Sequence, residues 1–98
     1  PAQLPPDGVW AVHAVLANGQ KRDGVANLGM RPTVHGTSRL LEVHLFDFSD
    51  DLYGQELEVR FLKHLRDEIK FSSVDALRLQ IQRDAEQARQ VLTQIPLT

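Results

Sequence analysis

Hydrophobic and polar positions alternate with one period along the first two thirds of this chain and with another along the last third. From Val9 to Leu16 the residues are mostly apolar and include the bulky Trp10, the pattern of a strand buried on much of both faces. Asn18-Gly19 follows, a pair that tolerates the positive φ angles of a tight turn, so a second strand from Gln20 to Leu28 should return antiparallel to the first. In LLEVHLFDF, residues 40–48, Leu41, Val43 and Leu45 alternate with Glu42, His44 and Phe46, which puts polar side chains together on one face of a third strand. SDDLYGQ reads as a further turn, and in LEVRFL the residues Leu57, Val59 and Phe61 alternate with Glu58 and Arg60. These two segments are expected to form a second hairpin.

Beyond HLRDEIKF the period lengthens to between three and four, and Val74, Leu77, Ile81, Ala85, Ala88 and Leu92 fall on one stripe. This predicts an amphipathic helix over 72–93, with Ser72 three residues before Asp75 as its cap and Pro96 as its stop. Strands first and one helix last make the chain mainly β: an antiparallel sheet curled into a small barrel, with the C-terminal helix packed against it. Residues 1–8, PAQLPPDG, read as an extended lead-in, and GMRPTVHGTSR reads as a loop of functional length between the second and third strands.

Composition narrows the partners. A chain of 98 residues with 42% hydrophobic and 24% charged content builds one small domain. Its net charge of -2 gives no general attraction to a phosphate polymer or an anionic membrane, so neither nucleic acid nor membrane is an expected partner. The absence of cysteine removes disulfides and thiolate metal sites from consideration. No apolar run reaches the roughly 20 residues a bilayer requires, and the amino end is proline-rich where a signal segment would be basic and then apolar; a cytoplasmic protein is expected.

No phosphate-binding GxxxxGK[ST], GxGxxG, His-Glu-x-x-His or serine elbow is present. The four histidines, at 13, 35, 44 and 64, lack metal-ligand spacing, so no protein-held metal is expected from them. The specific signal is the combination of GVANLGMRPT at 24–33, LLEVHLFDFSDDLYGQELEVRFLKHLRDEIKF at 40–71 and SVDALRLQIQRDAEQAR at 73–89. In order and spacing these three blocks resemble the riboflavin kinase domain of bacterial bifunctional riboflavin kinase/FAD synthetases, from about Pro6 to Arg89.

That resemblance implies a six-stranded Greek-key barrel that moves the γ-phosphate of ATP, with Mg2+, onto the ribityl 5′-hydroxyl of riboflavin to give FMN, joined in such proteins to an FMN adenylyltransferase domain. Glu42 matches the family's catalytic base, a role that suits a poorly nucleophilic primary alcohol. Asn27, Gly29 and Arg31 match the strand and loop near the phosphates, and Arg66 and Glu68 match the segment bordering the flavin. The family's Pro-Thr-Ala-Asn segment, which helps hold magnesium and ATP, does not occur in these 98 residues. Without it the isolated chain is expected to be inactive, and strand edges left unpaired could join two copies. The competing expectation is a small non-catalytic barrel that binds a ligand or a protein, with Glu42 as a surface charge.

Overall fold

The computed structural model describes residues 4–50, 52 and 54–95. Four antiparallel strands, β1 (Gly8–Leu16), β2 (Lys21–Thr33), β3 (Gly36–Leu45) and β4 (Leu57–Arg66), precede a single helix, α1 (Val74–Thr93). The strands form one sheet in the order β3-β2-β1-β4. The sheet is not closed: β3 and β4 are its two edges among the described residues.

The first hairpin forms as its turn chemistry dictates. Val15 faces Lys21 across the pair, Gly19 takes a φ of 87°, and Asn18 Oδ1 accepts a hydrogen bond from the Gln20 amide at 2.9 Å. The segment after it departs from expectation. β2 continues beyond Leu28 to Thr33, turns at Val34-His35, and pairs with β3 as far as Thr33 opposite Gly36, so GMRPTVHGTSR is a strand, a turn and a strand and not a loop. Pro32 is compatible with this because β1 pairs with β2 only up to Leu28, opposite Gly8. From there on one side of β2 is open and can take the position that lacks an N–H.

The second expected hairpin does not form. β4 pairs with β1, with Phe61 opposite Val12 and Val59 opposite Ala14, so β3 and β4 lie at opposite edges of the sheet. The cause is β1 itself: with Ala11, Val12 and Ala14 fully buried, it needs a strand on either side, and this outweighs the nearness of β3 and β4 along the chain. The lead-in reaches toward both edges. Arg39 of β3 donates to Asp7 Oδ1 at 2.7 Å and to the Pro5 carbonyl, while His64 of β4 lies 3.3 Å from the Asp7 carbonyl.

Each face of the sheet carries its own core. On one face Ala11 and Phe46 pack with Ala88 and Leu92 of α1, flanked by Val25, Leu62, Leu65 and Ala85. On the other, Ala14, Leu16 and Leu45 pack with Val43, Phe48 and Leu57. Ala11 and Ala88 are both fully buried, and their small side chains let the second half of the helix lie close to the strands. The first half does not follow. Val74, Leu77 and Ile81 are 67%, 40% and 53% exposed, so the predicted stripe is partly buried at Ala85 and fully buried only at Ala88 and Leu92. The N-cap is Ser73, whose hydroxyl accepts from the Ala76 amide at 3.0 Å; Ser72 does not serve. The expected stop at Pro96 lies outside the described residues.

Candidate active site

One rung of the sheet collects three of the six candidate residues. Residues directly opposite on neighbouring antiparallel strands project to the same face. Arg66 of β4 is opposite Val9 of β1, Val9 is opposite Asn27 of β2, and Asn27 is opposite Glu42 of β3. Three residues far apart in sequence therefore share one row. Gly29 and Arg31 stand two and four positions further along β2, on the same face by the period of a strand.

Above this row the uncovered first half of α1 stands away from the sheet, and an open cavity of about 690 Å³ lies between them. Its walls include Val9, Asn27, Arg31, Glu42 and His44 from the strands, Arg66 to Phe71 excepting Asp67, and Leu77, Ile81 and Asp84 from the helix. Apolar walls with a few polar groups among them are the usual make-up of a site for a flat organic ligand. The exposure of Leu77 and Ile81 is thus the cavity's apolar lining, and a stripe that sequence periodicity assigns to core is divided between core and site.

Arg31 organises two of these polar groups. Its Nη1 and Nη2 donate to the two oxygens of Glu68 at 3.0 and 3.3 Å, and Nη2 also donates to Glu42 Oε1 at 3.1 Å. One guanidinium thus holds two carboxylates, a geometry for which the arginine fork is suited and a lysine is not. The hydrogen bonds from Arg31 to Glu68 raise the Arg31 pKa above its ordinary value, with the charges of Glu68 and Glu42 adding to the effect and burial opposing it. Glu42 itself is half open, with 56% of its side chain accessible, and so remains available to a ligand.

Glu68 reaches Arg31 because residue 29 has no side chain. A Cβ there would overlap the Glu68 carboxylate carbon and both of its oxygens. Gly29 is therefore a notch for a carboxylate of the same chain. Asn27 lies beneath, its Oδ1 buried without a hydrogen-bond partner. That orphaned oxygen is a hard donor, yet a single amide oxygen does not make a magnesium site. Among the described residues no cluster of three or more His, Asp or Glu could hold an ion, and the adjoining Glu42 is already paired with Arg31.

At the other end of the rung, Arg66 is turned toward the helix. Nε and Nη2 donate to the two oxygens of Asp84 at 2.8 and 2.7 Å, and Nη1 donates to the Asp67 carbonyl at 3.0 Å. Asp84 is 5% exposed and also accepts from Gln80 at 3.0 Å. The candidate residues Asn27, Arg31, Glu42, Arg66 and Glu68 all line the cavity, while Gly29 sits behind Glu68. Sequence reasoning passed over Asp84, His44, Phe71 and Leu77 as wall residues. Asp84 had a signal: position 84 continues the run Leu77, Ile81, Ala88 at helical spacing, and a charge on such a stripe demands a partner.

The flavokinase family, riboflavin kinase, matches residues 1–92. The chain belongs to the riboflavin kinase family. Within this family it is 53% identical over 85 residues to the bifunctional riboflavin kinase/FMN adenylyltransferase of Haemophilus influenzae, covering 87% of this chain and 28% of that one. It is 49% identical to the Escherichia coli K12 protein of the same description over 88% of this chain, and 38% identical to that of Bacillus subtilis over 87%. The chain thus spans 28% of the length of each of these relatives. Among solved structures, one described as a macrolide-efflux protein from Streptococcus pneumoniae superposes with a TM-score of 0.80 at 38% identity, over 89% of this chain and 28% of that one. No described helix of the chain is long and apolar enough to cross a membrane.

Proposed function

We propose that the protein carrying this chain transfers the γ-phosphate of ATP to the ribityl 5′-hydroxyl of riboflavin, and that the cavity between α1 and the sheet is where the flavin sits. The observation that carries this reading is Glu42: it lies on the cavity-facing rung, half exposed, with Arg31 hydrogen-bonded to it. In the proposed reaction the Glu42 carboxylate accepts the proton of the 5′-hydroxyl, a P–O bond forms between that oxygen and the γ-phosphorus, and the bond to the ADP oxygen breaks. Arg31 offsets charge on the phosphoryl oxygens and on Glu42, as preorganised cations do in this chemistry. Val9, Leu77 and Ile81 supply apolar contact for the isoalloxazine.

Arg66, bonded to Asp84 and to its own backbone neighbour, serves in this reading as a wall of the flavin site. The described residues do not by themselves form a magnesium site, and in this reading the family's Pro-Thr-Ala-Asn segment, which does not occur in these 98 residues, helps hold magnesium with ATP. The relatives' description as bifunctional supports a second, FMN adenylyltransferase domain in the same protein; a cytoplasmic location goes with the proposed use of ATP. The edge strands β3 and β4 would permit edge-to-edge pairing of two copies of the isolated chain, which sedimentation of the 98-residue chain would detect as a dimer.

The decisive experiment is ATP-dependent FMN formation by the full-length protein and its Glu42→Gln variant. Loss of about 10²–10⁴ in kcat with riboflavin quenching retained is the expected result. Unchanged turnover in the variant removes Glu42 from the chemistry. Absence of turnover and of saturable riboflavin quenching in the unmodified protein returns the domain to a non-catalytic binding role.

A further inference from the structure

Arg66 has no nitrogen left without an internal partner: Asp84 takes Nε and Nη2, and the Asp67 carbonyl takes Nη1. Asp84 in turn is buried on the cavity side of α1 and accepts from three donor groups, the third being the Gln80 amide. A buried carboxylate held this completely is expensive to place unless its partners fix something. What they fix is the segment leaving the sheet. Arg66 ends β4, and the peptide carrying the Asp67 carbonyl leads directly into Glu68.

Glu68 then settles on Gly29 and grips Arg31, and Arg31 reaches Glu42. Contacts therefore run without a break from the helix to the proposed proton acceptor: Gln80 to Asp84 at 3.0 Å, Asp84 to Arg66 at 2.7 and 2.8 Å, Arg66 to the Asp67 carbonyl at 3.0 Å, Glu68 to Arg31 at 3.0 and 3.3 Å, and Arg31 to Glu42 at 3.1 Å. Arg31 has most need of such a brace. It projects from the part of β2 that pairs on one side only, and a long side chain there is otherwise free to sample several rotamers.

We infer that Asp84 is a positioning residue for the kinase reaction: through Arg66 and the peptide of residue 67 it holds Glu68, and through Glu68 it fixes the Arg31 guanidinium against Glu42. The inference rests on the reading of Glu42 as the proton acceptor. It gives the helix a part in turnover distinct from lining the flavin site, and it assigns Glu68 to Arg31 instead of to the flavin.

A double-mutant cycle of Asp84→Asn and Glu68→Gln in the full-length protein tests it, with kcat, riboflavin KM and thermal midpoint measured for each variant. Both residues are acceptors only, so they cannot hydrogen-bond each other, and any coupling must pass through the groups between them. Each single change should lower kcat about tenfold while moving riboflavin KM by less than about threefold, and the double variant should again lose about tenfold, not a hundredfold. If Asp84→Asn does not fold, Gln80→Met removes one donor to Asp84 and should lower kcat by about threefold, with the same failure to multiply with Glu68→Gln. Losses that multiply, or an Asp84 variant whose thermal midpoint falls while kcat per folded molecule holds, overturn the inference and leave the proposed function intact. A wild-type protein without ATP-dependent FMN formation overturns both.

Discussion

Gly29 and Glu68, thirty-nine positions apart, fit one against the other so closely that a single methyl group on residue 29 would occupy the space of the Glu68 carboxylate. The displaced atoms are the far end of a flexible side chain, and Gly29 is in a strand without a positive φ, so Gly29→Ala should cost little stability. It should nevertheless push Glu68 out of its bidentate contact with Arg31. We expect a thermal midpoint within a few degrees of wild type and a fall of about tenfold in kcat for FMN formation, a misplacement of about 1 Å being sufficient for such a loss. A variant with full activity would show that the Glu68 contact is dispensable.

Arg66 and Asp84 form the most buried ion pair described, with side-chain accessibilities of 18% and 7%. Removing one member leaves the other charge buried without its partner. Arg66→Ala should destabilise the fold by about 3–5 kcal/mol, measured by chemical denaturation. Arg66→Lys should recover part of this, because a single ammonium cannot reproduce the two parallel hydrogen bonds. Equal stability of the alanine variant and wild type would contradict the burial on which the pair depends.

The cap of α1 separates two adjacent serines. Ser73→Ala removes the hydroxyl that accepts from the Ala76 amide and should lower stability by about 1 kcal/mol, whereas Ser72→Ala should leave it nearly unchanged. Denaturant midpoints of the two variants decide the matter, and the reverse order would move the helix start by one residue.

Arg31 is held between two carboxylates, and its charge is required on both sides. Arg31→Lys should keep a cation near Glu42 but cannot hold Glu68 bidentately as well, so kcat should fall by about tenfold or more with fold stability little altered, the pair being partly exposed. Steady-state kinetics and thermal denaturation of the same preparation provide the check.

The chain's local chemistry determined its elements. Asn18-Gly19 made the first turn, period-two alternation put Glu42 and His44 on one face opposite Val43 and Leu45, and the spacing of Ala85, Ala88 and Leu92 made the buried half of the helix. These follow from neighbours a few residues apart. The same local rules misread Gly29 to Arg39 as a loop, because the tolerance of Pro32 depends on β1 ending beside Leu28, and they joined β3 to β4, because pairing nearest strands ignores the need of β1 for two neighbours.

The blocks of sequence that match the riboflavin kinase family carried the candidate residues, but not their contacts. Only the tertiary structure decided that Arg66, Asn27 and Glu42 stand on one rung, that Gly29 makes room for Glu68, and that Asp84 holds Arg66. Strand order and helix tilt set these relationships, and both are fixed by how buried surfaces fit across the whole domain, a long-range balance that no window along the chain contains.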